Sequence, residues 1–176
     1  MNANQGAESL LSYLGARLAL EAAGAGPSPG IWISRSPDLV SWRSTQRVMH
    51  PRDGAWWDAA RIGIGPPPIE TEHGWLLIYH GVEQTMSGAI YRVGLALLDL
   101  DEPARALHRS QAWVLGPTEA YERMGDVPNV VFPCGVVHEG ESDQVRLYYG
   151  AADTCLALAT ARLSELVDDV RTCPSG

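Results

Sequence analysis

The sequence predicts an all-β protein built from successive antiparallel meanders, and two stretches carry that prediction. Residues 61–99 (RIGIGPPPIETEHGWLLIYHGVEQTMSGAIYRVGLALLD) read as three strands with two turns. Residues 129–163 repeat the plan with NVVFPCGVV, QVRLYYG and CLALATARL. A strand, a glycine-ended loop and a small-residue strand recurring after roughly 70 residues form a blade-like repeat. A hydrophobic fraction of 45% supplies a packed core, in contrast to the low hydrophobicity of disordered chains.

In chain order, residues 1–29 differ in character from the rest. Glu8 to Ala23 has helical composition, with leucines at 10, 11, 14, 18 and 20, and Gly24 to Gly30 (GAGPSPG) reads as a linker. Two readings stay open for this segment: a docking helix, or a stretch that replaces or truncates the start of the fold. Residues 30–166 form the strand-rich region and 167–176 a polar, frayed tail.

Ile31 and Ile33 lead into a Ser36-Pro37-Asp38 turn, followed by Leu39 and Trp42. His50 to Asp58 (HPRDGAWWD) is a loop whose Trp56 and Trp57 serve either as a sugar-stacking platform or as core. Pro66, Pro67 and Pro68 confine the strand after Arg61 to the rim or inner edge of a sheet, because proline has no N–H to donate. His73-Gly74 turns the chain into Trp75–His80, a polar loop covers Glu83 to Gly88, and Tyr91 to Leu100 returns. On this reading Arg61, His80, Tyr91 and Arg92 fall at strand ends beside glycines, the kind of polar gathering that marks a site. Arg109 to Leu115 is expected as an outer strand and Gly116 to Asp126 as a long polar loop. Cys134 and Cys155 read as small core residues.

Thirteen basic residues against twenty-one acidic ones give a net charge of −8, which disfavours nucleic-acid and anionic-membrane partners. No apolar run approaches the roughly 20 residues of a membrane span, and MNANQGAESLL lacks the positive start of a signal peptide. Three cysteines without a CxxC pattern indicate neither a disulfide framework nor a metal site. A reducing cytoplasm is the expected compartment.

GPPPI, GWLLIYHG, YRVGLALLDL, YERMGDVPNVVFPCG and YYGAADT, in this order between about Gly30 and Leu166, resemble the glycoside phosphorylases of glycoside hydrolase family 130. The resemblance implies a five-bladed β-propeller acting on β-mannosides. This chain would hold two to three blades, the C-terminal half, with open edges prone to self-association. The implied chemistry is inverting: a carboxylic acid protonates the glycosidic oxygen while inorganic phosphate, the co-substrate, attacks the anomeric carbon. No other cofactor is implied.

By the same resemblance, Arg61, His80 and Tyr91 fall on phosphate-contacting positions and Asp153 on a sugar-contacting one. Arg92, Glu122 and Asn129 are further candidates for the substrate side. Arg61 stands where the family usually has lysine, keeping the charge but changing reach and geometry. Each residue also has a structural reading: Arg61 as a rim charge, His80 as a core histidine, Arg92 as the partner of a nearby carboxylate, Asp153 as a turn aspartate. Nothing in residues 1–60 matches the family's proton donor, since Asp38 sits in a turn and Asp53 and Asp58 in the tryptophan loop. Little or no activity is therefore expected from this chain alone. The alternatives are a β-mannoside hydrolase of the same family and a non-catalytic carbohydrate-binding or interaction fragment. The identity of the β-mannoside is not encoded in the loops present.

Overall fold

The computed structural model describes residues 30–174, apart from Leu39 and Glu141. The helix expected at 8–23 and the linker at 24–29 lie outside the described residues. Three antiparallel sheets follow one another along the chain. The first pairs β1 (Ile31–Arg35) with β2 (Arg43–Met49). Between them Asp38 closes the expected turn, its Oδ1 accepting the amides of Val40 at 2.9 Å and Ser41 at 2.6 Å. Those two amides, Ser41's foremost, hold its carboxyl down at about 2.

The second sheet has the order β3 (Arg61–Ile64), β5 (Gly74–Thr85), β6 (Gly88–Leu98) and β7 (Ala106–Arg109). Its inner strand is interrupted by the three prolines and resumes as β4 (Ile69–Thr71), which also pairs with β5. The third sheet has the order β10 (Cys155–Arg162), β9 (Gln144–Ala151) and β8 (Val131–His138). Two helices complete the described chain, α1 (Ala120–Arg123) and α2 (Leu163–Arg171).

Strand β5 is buried on both faces, and its period of two sorts its residues into two cores. Leu76 and Ile78 join Val93, Leu95, Val131, Val145 and Tyr149 between the second and third sheets. Trp75, Leu77 and Tyr79 join Ile31, Met49 and Trp57 on the other side, toward the first sheet. Successive sheets thus stack face to face in chain order, the arrangement of an incomplete propeller. Among the described residues no helix is long and apolar enough to cross a membrane.

Four expectations need correcting. The chain does not loop at 83–88: β5 and β6 stay paired through Thr85↔Gly88 and turn only at Met86 and Ser87, with Thr85 Oγ1 donating to the Gly88 carbonyl at 2.8 Å. His80 therefore lies in mid-strand. The outer strand is Ala106–Arg109, not 109–115. Beyond Arg109 the chain keeps touching β6 through Ser110 N–H to Leu95 O and Val114 N–H to Val93 O, but it bows outward between them, where the Gln111 carbonyl takes the Trp57 indole N–H at 2.8 Å.

The described part of the tail, residues 168–174, is not frayed. It forms the end of α2, which buries Val167 and Val170 in the core between the second and third sheets. Asp143 caps this helix through the Ser164 amide at 2.9 Å. Arg171 reaches His73 at 3.1 Å, and the Cys173 carbonyl meets His108 Nδ1 at 2.8 Å, so the end of the helix is held against the second sheet. Finally, Cys134 and Cys155 are exposed. The first follows Pro133 in the irregular stretch of β8, and the second opens the sheet-edge strand β10.

Candidate active site

Arg61, Val82 and Tyr91 form one row across β3, β5 and β6. Residues in register on adjacent strands share a face, and His80, two residues before Val82, lies on the same face. The Arg61 guanidinium donates to the Tyr91 hydroxyl and stands 5.5 Å from the ring centroid. The His80 ring stacks on Tyr91 at 5.9 Å and is backed by Phe132 of β8 at 4.5 Å.

His80 is only 8% exposed, and its Nδ1 is buried without a partner. Room for the imidazole comes from Gly63, its cross-strand neighbour, where a β-carbon would lie 2.7 Å from Nε2. Burial first, and the Arg61 charge second, push the His80 pKa down to about 4. At neutral pH this face thus offers a fixed cation, a neutral imidazole and a phenol side by side. Such a set can hold an oxyanion by charge and by hydrogen bonds.

The remaining predicted residues fall at different places. Asn129, at φ +61°, presents its carbonyl to the Tyr91 amide at 3.0 Å. The next residue, Val130, accepts the Ala152 amide at 3.0 Å, so residues 129–130 bridge Tyr91 and the β9–β10 turn. Asp153 sits in that turn, exposed and at φ +51°. Arg92 points to the opposite face from Tyr91 and pairs with Glu83 at 2.6 Å, the structural reading foreseen for it.

Glu122 is 1% exposed, with its carboxylate fully engaged. It accepts the Tyr149 hydroxyl at 2.6 Å and the amides of Thr118 and Glu119 at 2.7 and 2.8 Å. Burial opposes its charge, but these bonds outweigh it and leave the carboxyl below the ordinary range. Glu122 therefore ties down the 116–130 loop and does not line an open wall. Of the paired tryptophans, Trp57 is core: it fills a slot left by Gly81 and Gly94, where β-carbons would lie 2.8 Å from its Cε3 and 2.7 Å from its Cζ2, and nearer still to the adjoining ring carbons. Trp56 is half-exposed under the Arg52 guanidinium, 4.6 Å away.

Sequence reasoning missed a buried polar cluster beneath the same strands. Asp58 is fully buried and accepts Arg109 at 2.6 Å and the Tyr79 hydroxyl at 2.9 Å, with Arg52 at 3.4 Å. Arg109 also donates to Tyr79 at 3.1 Å and to the His50 carbonyl at 2.8 Å. The available signal was an aspartate directly after Trp57 and an arginine ending an apolar strand. Their pairing over 51 positions in sequence was not legible.

Residues 6–172 match the family profile described as beta-1,4-mannooligosaccharide phosphorylase, so the match reaches back beyond the Gly30 start inferred above. The beta-1,4-mannooligosaccharide phosphorylase of Ruminococcus albus is 39% identical over 146 residues, 83% of this chain and 43% of that protein. A beta-1,2-mannobiose phosphorylase of Thermoanaerobacter sp. is 46% identical over 131 residues, 74% of this chain and 41% of its own length. The structure of Listeria innocua beta-1,2-mannobiose phosphorylase with beta-1,2-mannobiose superposes with a TM-score of 0.77 at 37% identity, covering 84% of this chain and 40% of that one. This chain spans less than half the length of each of these relatives. On the profile match and these identities, the chain is a partial five-bladed β-propeller and belongs to glycoside hydrolase family 130.

Proposed function

We propose that this chain carries the phosphate-holding side of an inverting β-mannoside phosphorylase. The observation that supports it is the convergence of Arg61, Tyr91 and His80 on one face of the β3–β5–β6 sheet. Arg61 neutralises part of the phosphate dianion and aligns it through two N–H donors. Tyr91 holds the guanidinium in place and adds a hydroxyl. His80, uncharged at neutral pH, donates or accepts one hydrogen bond without a counter-charge.

A phosphate oxygen then attacks the anomeric carbon of a β-mannoside. The glycosidic C–O bond breaks, and the leaving oxygen takes a proton from a carboxylic acid. No residue of this chain matches that acid. Asp153, at the neighbouring turn, contacts the sugar; Arg92, Glu122 and Asn129 act on that side only through the scaffold. The substrate class is β-mannoside oligosaccharides, as acted on by the relatives named above.

Calorimetric titration of the chain with inorganic phosphate tests the anion site. Saturable binding lost in Arg61→Ala is expected; unchanged binding in that variant overturns the assignment. Co-expression with the N-terminal half of a family member should yield mannose 1-phosphate from a β-mannoside panel, while the chain alone stays silent. Phosphate-dependent turnover by the chain alone, abolished by Asp153→Asn, would make Asp153 the proton donor. Phosphate-independent release of mannose would identify a hydrolase.

A further inference from the structure

The strands that end each sheet differ in how they are protected. β1 and β2 pair with register irregularities, and β2 carries Arg43 and Arg47. The β3–β4 edge is interrupted by three prolines, β7 is four residues long and bulged against β6, and β8 contains Pro133 and a register shift. Short, bulged, charged or proline-bearing edges resist pairing with another chain. β10 has none of these features along its length. All eight residues pair in unbroken register with β9, and its one charge, Arg162, is terminal. Where the second sheet continues outward to a fourth strand, the third ends at β10 among the described residues.

One face of this edge is also apolar. Leu156 is 77% exposed, Leu158 51%, and Tyr148, registered with Leu158 on β9, 41%. The opposite face is covered: Ala157 and Ala159 pack on the core with α2.

We propose that β10 pairs antiparallel with β10 of a second copy of this chain, about a two-fold axis at Leu158, making one six-stranded sheet. The N–H and C=O groups of the edge, which face no further strand among the described residues, then form a ladder. Leu158 meets its own counterpart, so Tyr148 and Leu158 of both copies make one apolar row. Leu156 lies opposite Thr160. The same register sets Arg162 opposite Thr154 of the second copy, one residue from exposed Asp153. Arg162 is largely exposed; Glu165 stands 4.0 Å away and Asp143 is close enough to feel its charge, so Asp153 of the second copy would join them. Complementary charge at both ends and leucine at the centre favour a closed, isologous dimer. This inference does not depend on any enzymatic activity.

Sedimentation equilibrium of the 176-residue chain over a roughly hundredfold concentration range reads the association directly. The expected species is a dimer at the upper concentrations. Leu158→Lys sets two ammonium groups against each other at the axis and should weaken the dimer by about tenfold or more with an unchanged far-UV spectrum. Arg162→Asp, facing Asp153, should weaken it as well, and adding Asp153→Arg should restore it. A monomer throughout, mass that grows beyond the dimer, or a charge swap that restores nothing overturns the proposal. Should Leu158→Lys fail to fold, the exposed charge swap decides alone.

Discussion

Gly63 faces His80 across the β3–β5 ladder, and its missing side chain is what leaves the imidazole room against the backbone. Phe132 closes the other side of the ring at 4.5 Å. The imidazole is thus clamped between a bare backbone and an aromatic wall, with Tyr91 beside it.

Gly63→Ala should therefore act on His80 specifically. The imidazole has no flexible end to yield, so it must tilt toward Phe132 or Tyr91, at a cost of about 1–3 kcal/mol. Phosphate binding should weaken together with stability. Gly140→Ala, at a position where a β-carbon meets nothing within 4 Å, is the control and should change neither. Urea denaturation and calorimetric titration of the two variants make the comparison.

The buried His80 also sets a pH dependence. Its pKa falls from 6.5 to about 4 on folding. Between those values the unfolded chain binds more protons than the folded one, so stability rises with pH across that window. The penalty builds as pH drops below about 6.5 and saturates below about 4, amounting to roughly 3 kcal/mol at most. Unfolding free energies measured at intervals from pH 4 to 7 should show this slope, and His80→Gln should flatten it. An unaltered slope in His80→Gln would place the titrating group elsewhere.

The Asp58 cluster makes a third expectation. Removing Asp58 leaves Arg109 as an uncompensated buried charge, so Asp58→Asn should cost about 3–5 kcal/mol; Arg109→Met should cost less, because Arg52 and Tyr79 still face Asp58. The double variant should cost much less than the sum, because the two residues share one interaction. Tyr79→Phe, which removes only the hydroxyl, should cost about 1–3 kcal/mol. A double-mutant cycle by chemical denaturation reads all three, and additive losses would show that the ion pair contributes nothing of its own.

How much of this was legible beforehand follows from the range of each interaction. The meanders could be read because alternation, prolines and turn residues act over a few positions: the interruption between β3 and β4 is written in Pro66–Pro68. The hairpin at Met86 was obscured because Glu83, Gln84 and Thr85 are polar, yet they extend a paired strand. Helix α2 was hidden by its charged surface. Leu163, Leu166, Val167 and Val170 follow helical spacing, but five charged residues stand among or beside them. At the site, the clustering of Arg61, His80 and Tyr91 was anticipated from motif resemblance. The closure of Glu122 onto Tyr149 and of Asp58 onto Arg109 depends on contacts distant in sequence, which periodicity does not encode.

The docking of α2 carries a consequence for how the protein is made. Val167 and Val170 complete a core whose other members begin at Ile69, and Arg171 meets His73 across 98 positions. During synthesis the second sheet can form while the ribosome is still translating the third. The seam between them cannot close until residue 170 has left the exit tunnel. Until then an apolar face of the second sheet stands open, and contacts of such long loop length are slow to find each other. The nascent chain therefore passes through an interval in which binding by a chaperone competes with self-closure.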